Sequence, residues 1–142
     1  MRFKAVVLLA ALAATVQAGE DPRVRVEMPE PMQAHLLANM RDHLRAIEAI
    51  TRLLALGKFE EAADTAEARL GMSSMQSHGA GHMAPFMPEP MRATGSAMHR
   101  AASRFALAAR DAEVSGGLAA AFAGLSEVMQ QCVACHEAFR VH

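Results

Sequence analysis

The cysteines are the most informative residues of this sequence. Its only two cysteines, Cys132 and Cys135, are separated by two residues and followed directly by His136. A disulfide between them would close a very small loop and stabilise the fold little. Cys-x-x-Cys-His is instead the attachment signature of c-type haem, because two thiols one helical turn apart reach both vinyl groups of one porphyrin. The motif predicts one covalent haem c on Cys132 and Cys135, with His136 as the proximal iron ligand.

Two other uses of a Cys-x-x-Cys pair fit this chain less well. A thioredoxin-like dithiol belongs to a βαβ context and sits at a helix N-terminus, whereas this motif falls late in a predicted helix. A structural zinc site needs four ligands, and the chain contains no second pair of thiols.

The N-terminus has the pattern of an export signal. Arg2 and Lys4 are basic, residues 5–14 are an unbroken run of Ala, Val and Leu, and Ala18 ends a small-residue cleavage site before Gly19. The apolar run is too short to cross a bilayer as a helix. We therefore predict a signal peptide over residues 1–18, a mature domain over residues 19–142 and a periplasmic location.

The charge of the mature part excludes some partners. Without Arg2 and Lys4, 12 of the 14 basic residues remain against 15 acidic ones. A nucleic-acid-binding protein has a clustered basic face, and this mildly acidic balance does not indicate one. No segment after the signal peptide is expected to cross a membrane.

The pattern of apolar residues predicts an all-α fold, an antiparallel four-helix bundle with the haem attached to the last helix. Proline at helix starts and glycine at helix ends divide the mature chain. The helices are predicted from Pro29 or Pro31 to Gly57, from Phe59 to Leu70, from Pro88 or Pro90 to Ser115, and from Leu118 onward. Residues 72–86 are predicted to be a loop.

Each predicted helix has an apolar stripe that should face the core. On the last helix the stripe repeats every three or four residues, as in a bundle core. It consists of Leu118, Phe122, Leu125, Met129, Cys132, His136 and Phe139. On the first helix it consists of Met32, Leu36, Met40, Leu44, Ile47, Ile50 and Leu54.

The ending Cys132-Val133-Ala134-Cys135-His136-Glu137-Ala138-Phe139-Arg140 resembles that of class II c-type cytochromes, the cytochrome c-prime proteins and their low-spin relatives. The resemblance implies a periplasmic four-helix bundle with Phe139 packed beside the haem and Arg140 on its proximal side. Helical spacing alone also puts Arg140 one turn beyond His136, where it could reach a propionate. Members of the family are often homodimers, so the resemblance allows one here.

The family divides according to the residue of the first helix that faces the iron, and this chain offers two candidates. Leu37 at that position would leave the iron five-coordinate and open to nitric oxide or carbon monoxide. Met40, one turn further, would give His/Met ligation and electron transfer with partner proteins. No nucleophile or acid–base group accompanies the motif, so we do not expect an enzyme.

A Met/His-rich segment gives a third possible function. Six methionines and three histidines lie between residues 72 and 99, and thioether with imidazole suits copper, especially Cu(I). The chain could therefore be a periplasmic copper-binding protein, with His78, His82 and Met83 as the first residues to test. The alternative is that the methionines cover the haem edge or belong to the core. The members are Met72, Met75, Met83, Met87, Met91, Met98, His78, His82 and His99.

Overall fold

The computed structural model describes residues 19–142, and the predicted signal peptide over residues 1–18 lies outside the described residues. Most of the described chain is helical. Its elements are β1 (Val24–Arg25), α1 (Glu30–Ala55), α2 (Phe59–Arg69), α3 (Ala80–Met83), α4 (Glu89–Ser115), α5 (Leu118–Ala138) and β2 (Phe139–Arg140), with 3-10 turns at Met72–Ser74 and Ala84–Phe86.

The long helices begin and end where proline and glycine predict. Pro29 and Pro88 precede α1 and α4, and a second proline stands in the first turn of each helix. Proline fits there because the first amides of a helix have no intrahelical acceptor. Gly57 and Gly116 follow the helix ends with φ of 71° and 70°, a left-handed conformation that glycine adopts without strain.

The four long helices form a bundle in which α5 packs along α4, α4 along α2, and α2 along α1. The main core cluster lies between them and includes Ile50, Ala66, Phe105, Leu125 and Val128. Spacing of three and four residues also predicts apolar stripes on the second and third long helices, and both stripes are buried. The stripe of α2 and the residue after it consists of Ala62, Ala63, Ala66 and Leu70. The stripe of α4 consists of Met91, Met98, Ala102, Phe105, Ala109 and Ala112.

A second apolar cluster, which we call the methionine cluster, lies at the end of the bundle where α5 finishes. Its buried members are Val26, Leu36, Met83 and Met91, and its half-buried members are Met28, Met40, Met87, Cys135, Phe139 and Val141. A short parallel pairing of β1 with β2 closes this end, with Val24 opposite Phe139 and Arg25 opposite Arg140. The sequence showed no strand pattern, and two residues are too few to produce one.

Two predicted stripes are partly wrong. On α1, Leu44 is 71% exposed, whereas the neighbouring His43 is buried. On α5, Leu118, Phe122 and Met129 are exposed, and so is His136. The buried face of α5 instead contains Ala121, Leu125 and Val128 and continues through the half-buried Cys132. The predicted face and the buried face of α5 are adjacent on the helix surface, and α5 is apolar almost all round.

Two further expectations need correction. Residues 72–86 are not an open loop, because they contain α3 and the two 3-10 turns. In addition, α5 is long and apolar enough to cross a membrane by length and composition alone. Only 17% of its apolar 18-residue stretch is buried. That is weak evidence for a membrane span, since α5 packs along α4 and its Arg104–Glu127 ion pair joins the two helices.

Candidate functional site

The two cysteines lie on the inner side of the last turns of α5. Both are free thiols and half-buried. Cys132 packs against the main core cluster, and Cys135 packs against the methionine cluster. His136 is exposed. At about 100° per residue, the three side chains occupy one arc of roughly 100° around the helix. The fold therefore presents both thiols and the imidazole on one side of α5.

The surroundings of the thiols do not favour the thiolate. Burial raises the pKa of Cys132, and burial together with the neighbouring Cys132 raises the pKa of Cys135. The Cys132 thiol points back to the carbonyl oxygen of Val128, at an Sγ–O distance of 3.6 Å. Reactive dithiols have a lowered pKa and lie near cationic groups or helix N-termini. These thiols have the opposite environment, which argues against a thioredoxin-like activity.

A zinc site at the motif also lacks support. Among residues 19–142, no group of three histidine, cysteine or carboxylate side chains stands in metal-ligand geometry. A structural zinc ion needs four ligands. The motif supplies three at most, and His136 faces solvent.

The two first-helix candidates, Leu37 and Met40, are both half-buried. Met40 packs against the methionine cluster, which is the cluster that Cys135 also joins. Leu36, rather than Leu37, is the buried leucine of this turn. Met40 is thus the candidate that shares its surroundings with the motif.

Phe139 and Arg140 follow the motif as β2. Phe139 packs into the methionine cluster. Arg140 donates through Nη1 to the carbonyl oxygen of His142 at 3.0 Å, and its Nε lies 3.6 Å from an Asp21 carboxylate oxygen. That Nε is buried and has no hydrogen-bond acceptor among residues 19–142. A buried N–H of this kind is a position for an additional anionic acceptor, such as a carboxylate.

The residues suggested for copper do not form one group. His78 lies against His43 and His99, Met83 is buried in the methionine cluster, and His82 is exposed. His82 lines a shallow depression together with residues of the 76–81 segment. The structure therefore separates the three side chains into three surroundings.

Sequence reasoning named His78 and His99 in the Met/His-rich segment but missed His43, which joins them in a cluster formed by α1, the segment before α3 and α4. Their ring centroids are 4.8, 5.5 and 6.0 Å apart. Burial lowers the pKa of His43 to about 4 and also lowers that of His78, with the neighbouring imidazoles adding to the effect. The sequence did contain a signal that His43 is buried. His43 lies seven residues from both Leu36 and Ile50, and residues seven apart lie on the same face of a helix.

No known family, curated protein or solved structure matches this chain.

Proposed function

We propose that this protein is an exported monohaem cytochrome of the class II type, an antiparallel four-helix bundle that transfers electrons between periplasmic redox partners. The observation that carries the proposal is the Cys132-x-x-Cys135-His136 motif on one arc of α5, with both thiols free and burial raising the pKa of each. Each of the two thioether bonds needs one free thiol to add to one vinyl group. The rival uses of the pair lack a lowered pKa or further metal ligands.

The surroundings of the motif fit a haem. Cys132 and Cys135 would hold it covalently, and His136 would bind the iron. The buried Nε of Arg140, which has no acceptor in the described part of the chain, fits a propionate. When bound, the haem supplies an iron that changes oxidation state reversibly. The protein's part is to hold the group, to exclude water with apolar side chains such as Phe139, and to set the iron's ligands.

The exposed apolar side chains of α5 add support. Phe122 and Met129 are 41% and 43% exposed, and they lie on the same helical face as His136. Apolar side chains grouped on a surface mark a place where another group or molecule binds. A porphyrin on His136 would cover part of this face; a second copy of the chain could cover the rest, as in a homodimer.

Met40 is the sixth ligand that we propose, since it packs against the same cluster as Cys135. A thioether and an imidazole as ligands would together raise the potential of the haem iron, as in electron-transfer cytochromes. With Leu37 over the iron instead, the protein would bind nitric oxide or carbon monoxide.

The first test is the attachment of haem to the exported protein. We expect the mass to include one haem and a reduced pyridine haemochrome spectrum typical of two thioethers. The Cys132→Ser/Cys135→Ser variant should lose covalent haem. Val133→Ser/Ala134→Ser is the matched control, because both residues are exposed, and it should keep the haem. A protein exported without haem would refute the proposal.

The second test separates the two iron sites. We expect a low-spin spectrum that carbon monoxide does not change, and a high-spin, carbon monoxide-sensitive spectrum in Met40→Ala. Leu37→Ala serves as the control and should remain low-spin. If the unaltered protein binds carbon monoxide readily, the iron is open and gas binding is the function.

A further inference from the structure

A second cluster of chemically active side chains lies outside the cysteine motif. His43 and His99 are 9% and 8% exposed, and His78 is half-buried. Each comes from a different part of the fold, namely α1, the segment between α2 and α3, and α4. Three imidazoles brought together by tertiary structure need a reason, because histidine is usually only partly buried.

We propose that His43, His78 and His99 form a binding site for a divalent transition-metal ion of the zinc type, held by three imidazole nitrogens. Imidazole is the donor that zinc and its neighbours prefer among neutral side chains. The site goes beyond the haem function and does not depend on it.

The distances fit such a site. With metal–nitrogen bonds of about 2.0–2.1 Å in tetrahedral geometry, ligand nitrogens lie about 3.3 Å apart and ring centroids about 5.2 Å apart. His43 Nε2 and His78 Nδ1 are 3.4 Å apart. The three centroid separations of 4.8, 5.5 and 6.0 Å bracket the expected value. The nitrogens of His43 and His78 are therefore already spaced as two ligands of one ion. The centroid of the His99 ring lies within about 1 Å of the expected distance from each of them.

The neighbours of the rings also fit. His99 Nδ1 lies 2.8 Å from the carbonyl oxygen of Leu70, so it carries the proton and donates. This leaves Nε2 of His99 with a lone pair, and metal-binding histidines generally donate their other nitrogen in this way. The backbone of His78 is fixed to α1, because the side chains of His35 and Asn39 both lie 2.9 Å from its carbonyl oxygen.

The site closes by rotation of side chains. Among residues 19–142 no three donors already stand in metal-ligand geometry, so the His43 and His78 rings must turn toward His99, whose Nδ1 stays on the Leu70 carbonyl oxygen. His78, the half-buried member, provides access from solvent. The buried Ser74 hydroxyl lies 3.4 Å from the Nδ1 atoms of both His78 and His99 and gives the site a further polar group.

The experiment titrates zinc chloride into the exported protein, with its haem if present, after treatment with a chelator and dialysis. We expect one zinc ion per chain by calorimetry and a zinc-dependent rise in melting temperature. His43→Gln, His78→Gln and His99→Gln should each weaken binding at least about a hundredfold, the upper end of the loss caused by removing a ligand's hydrogen-bond partner. His82→Gln and His142→Gln, which alter exposed histidines, should leave the affinity unchanged.

Zinc K-edge absorption of the unaltered protein gives an answer even if a variant fails to fold, and haem iron does not interfere with it. We expect three imidazole ligands at about 2.0–2.1 Å. Absence of stoichiometric binding would overturn the proposal. So would binding that survives all three cluster substitutions but disappears in His82→Gln or in Cys132→Ser/Cys135→Ser. The haem proposal is judged separately, by the iron content and the haemochrome spectrum.

Discussion

Gly79 occupies a position where a side chain should disturb the histidine cluster. Its φ is 65°, and a Cβ atom there would lie 2.9 Å from His35 Nε2, the atom that contacts the His78 carbonyl oxygen. In Gly79→Ala the left-handed conformation costs about 1–2 kcal/mol. Displacing His35 adds about 0.5–1 kcal/mol for a hydrogen bond, a modest amount because Asn39 still donates to the same oxygen.

Gly57→Ala is the matched control. Gly57 has a φ of 71°, and no described residue places an atom within 4 Å of a Cβ atom there, so only the conformational cost of about 1–2 kcal/mol applies. Urea denaturation should therefore show Gly79→Ala to be the less stable variant by about 0.5–1 kcal/mol. In a His35→Ala background this excess should disappear, as a double-mutant cycle would report. An excess that persists in that background would refute the assigned contact.

Three further predictions concern the bundle itself. With a chelator present, protonation of His43 should lower the free energy of unfolding by about 2 kcal/mol from pH 7.5 to 5, because burial lowers its pKa from 6.5 to about 4. This stability is complete above the unfolded pKa and is lost as the pH falls through that window. In urea titrations His43→Gln should remove that part of the fall and leave the part due to His78, whose pKa is lowered too. Phe105→Ala should cost about 3–5 kcal/mol in denaturant titrations, since Phe105 is 1% exposed, whereas Leu107→Ala, 64% exposed on the same helix, should cost under about 0.5 kcal/mol. Arg110 pairs with two exposed carboxylates of α2, so Arg110→Gln should cost under about 1 kcal/mol, and less in high salt.

Helix boundaries were the most predictable part of the fold. The segment Met28–Met32 recurs as Met87–Met91, and both copies open a long helix, at Glu30 and Glu89. Proline in the first turn and an acidic residue near the positive end of the helix dipole explain both starts. These signals act within one or two turns, so tertiary contacts hardly alter them.

The orientation of α5 was less predictable, because its composition does not define a single apolar face. Steps of three and four residues fit a stripe through Phe122 and Met129 and equally one through Ala121 and Val128. The structure buries the alanine-containing face against α4. Small side chains let two helices approach closely, a preference that an apolar/polar pattern does not record. The same ambiguity placed His136 in the core, although it is exposed.

The positions of the two proposed sites determine which substitutions test them independently. Met40 packs into the methionine cluster, and His43 lies three residues later on the same helix, a rise of about 4.5 Å. A change in the haem spectrum of His43→Gln would therefore not prove that zinc and haem interact, because the substitution can displace Met40 through the backbone of α1. His99 lies on α4 and contacts the Leu70 carbonyl oxygen. His99→Gln consequently removes a zinc ligand without altering the helix that carries Met40, and it should weaken zinc binding while leaving the haem low-spin.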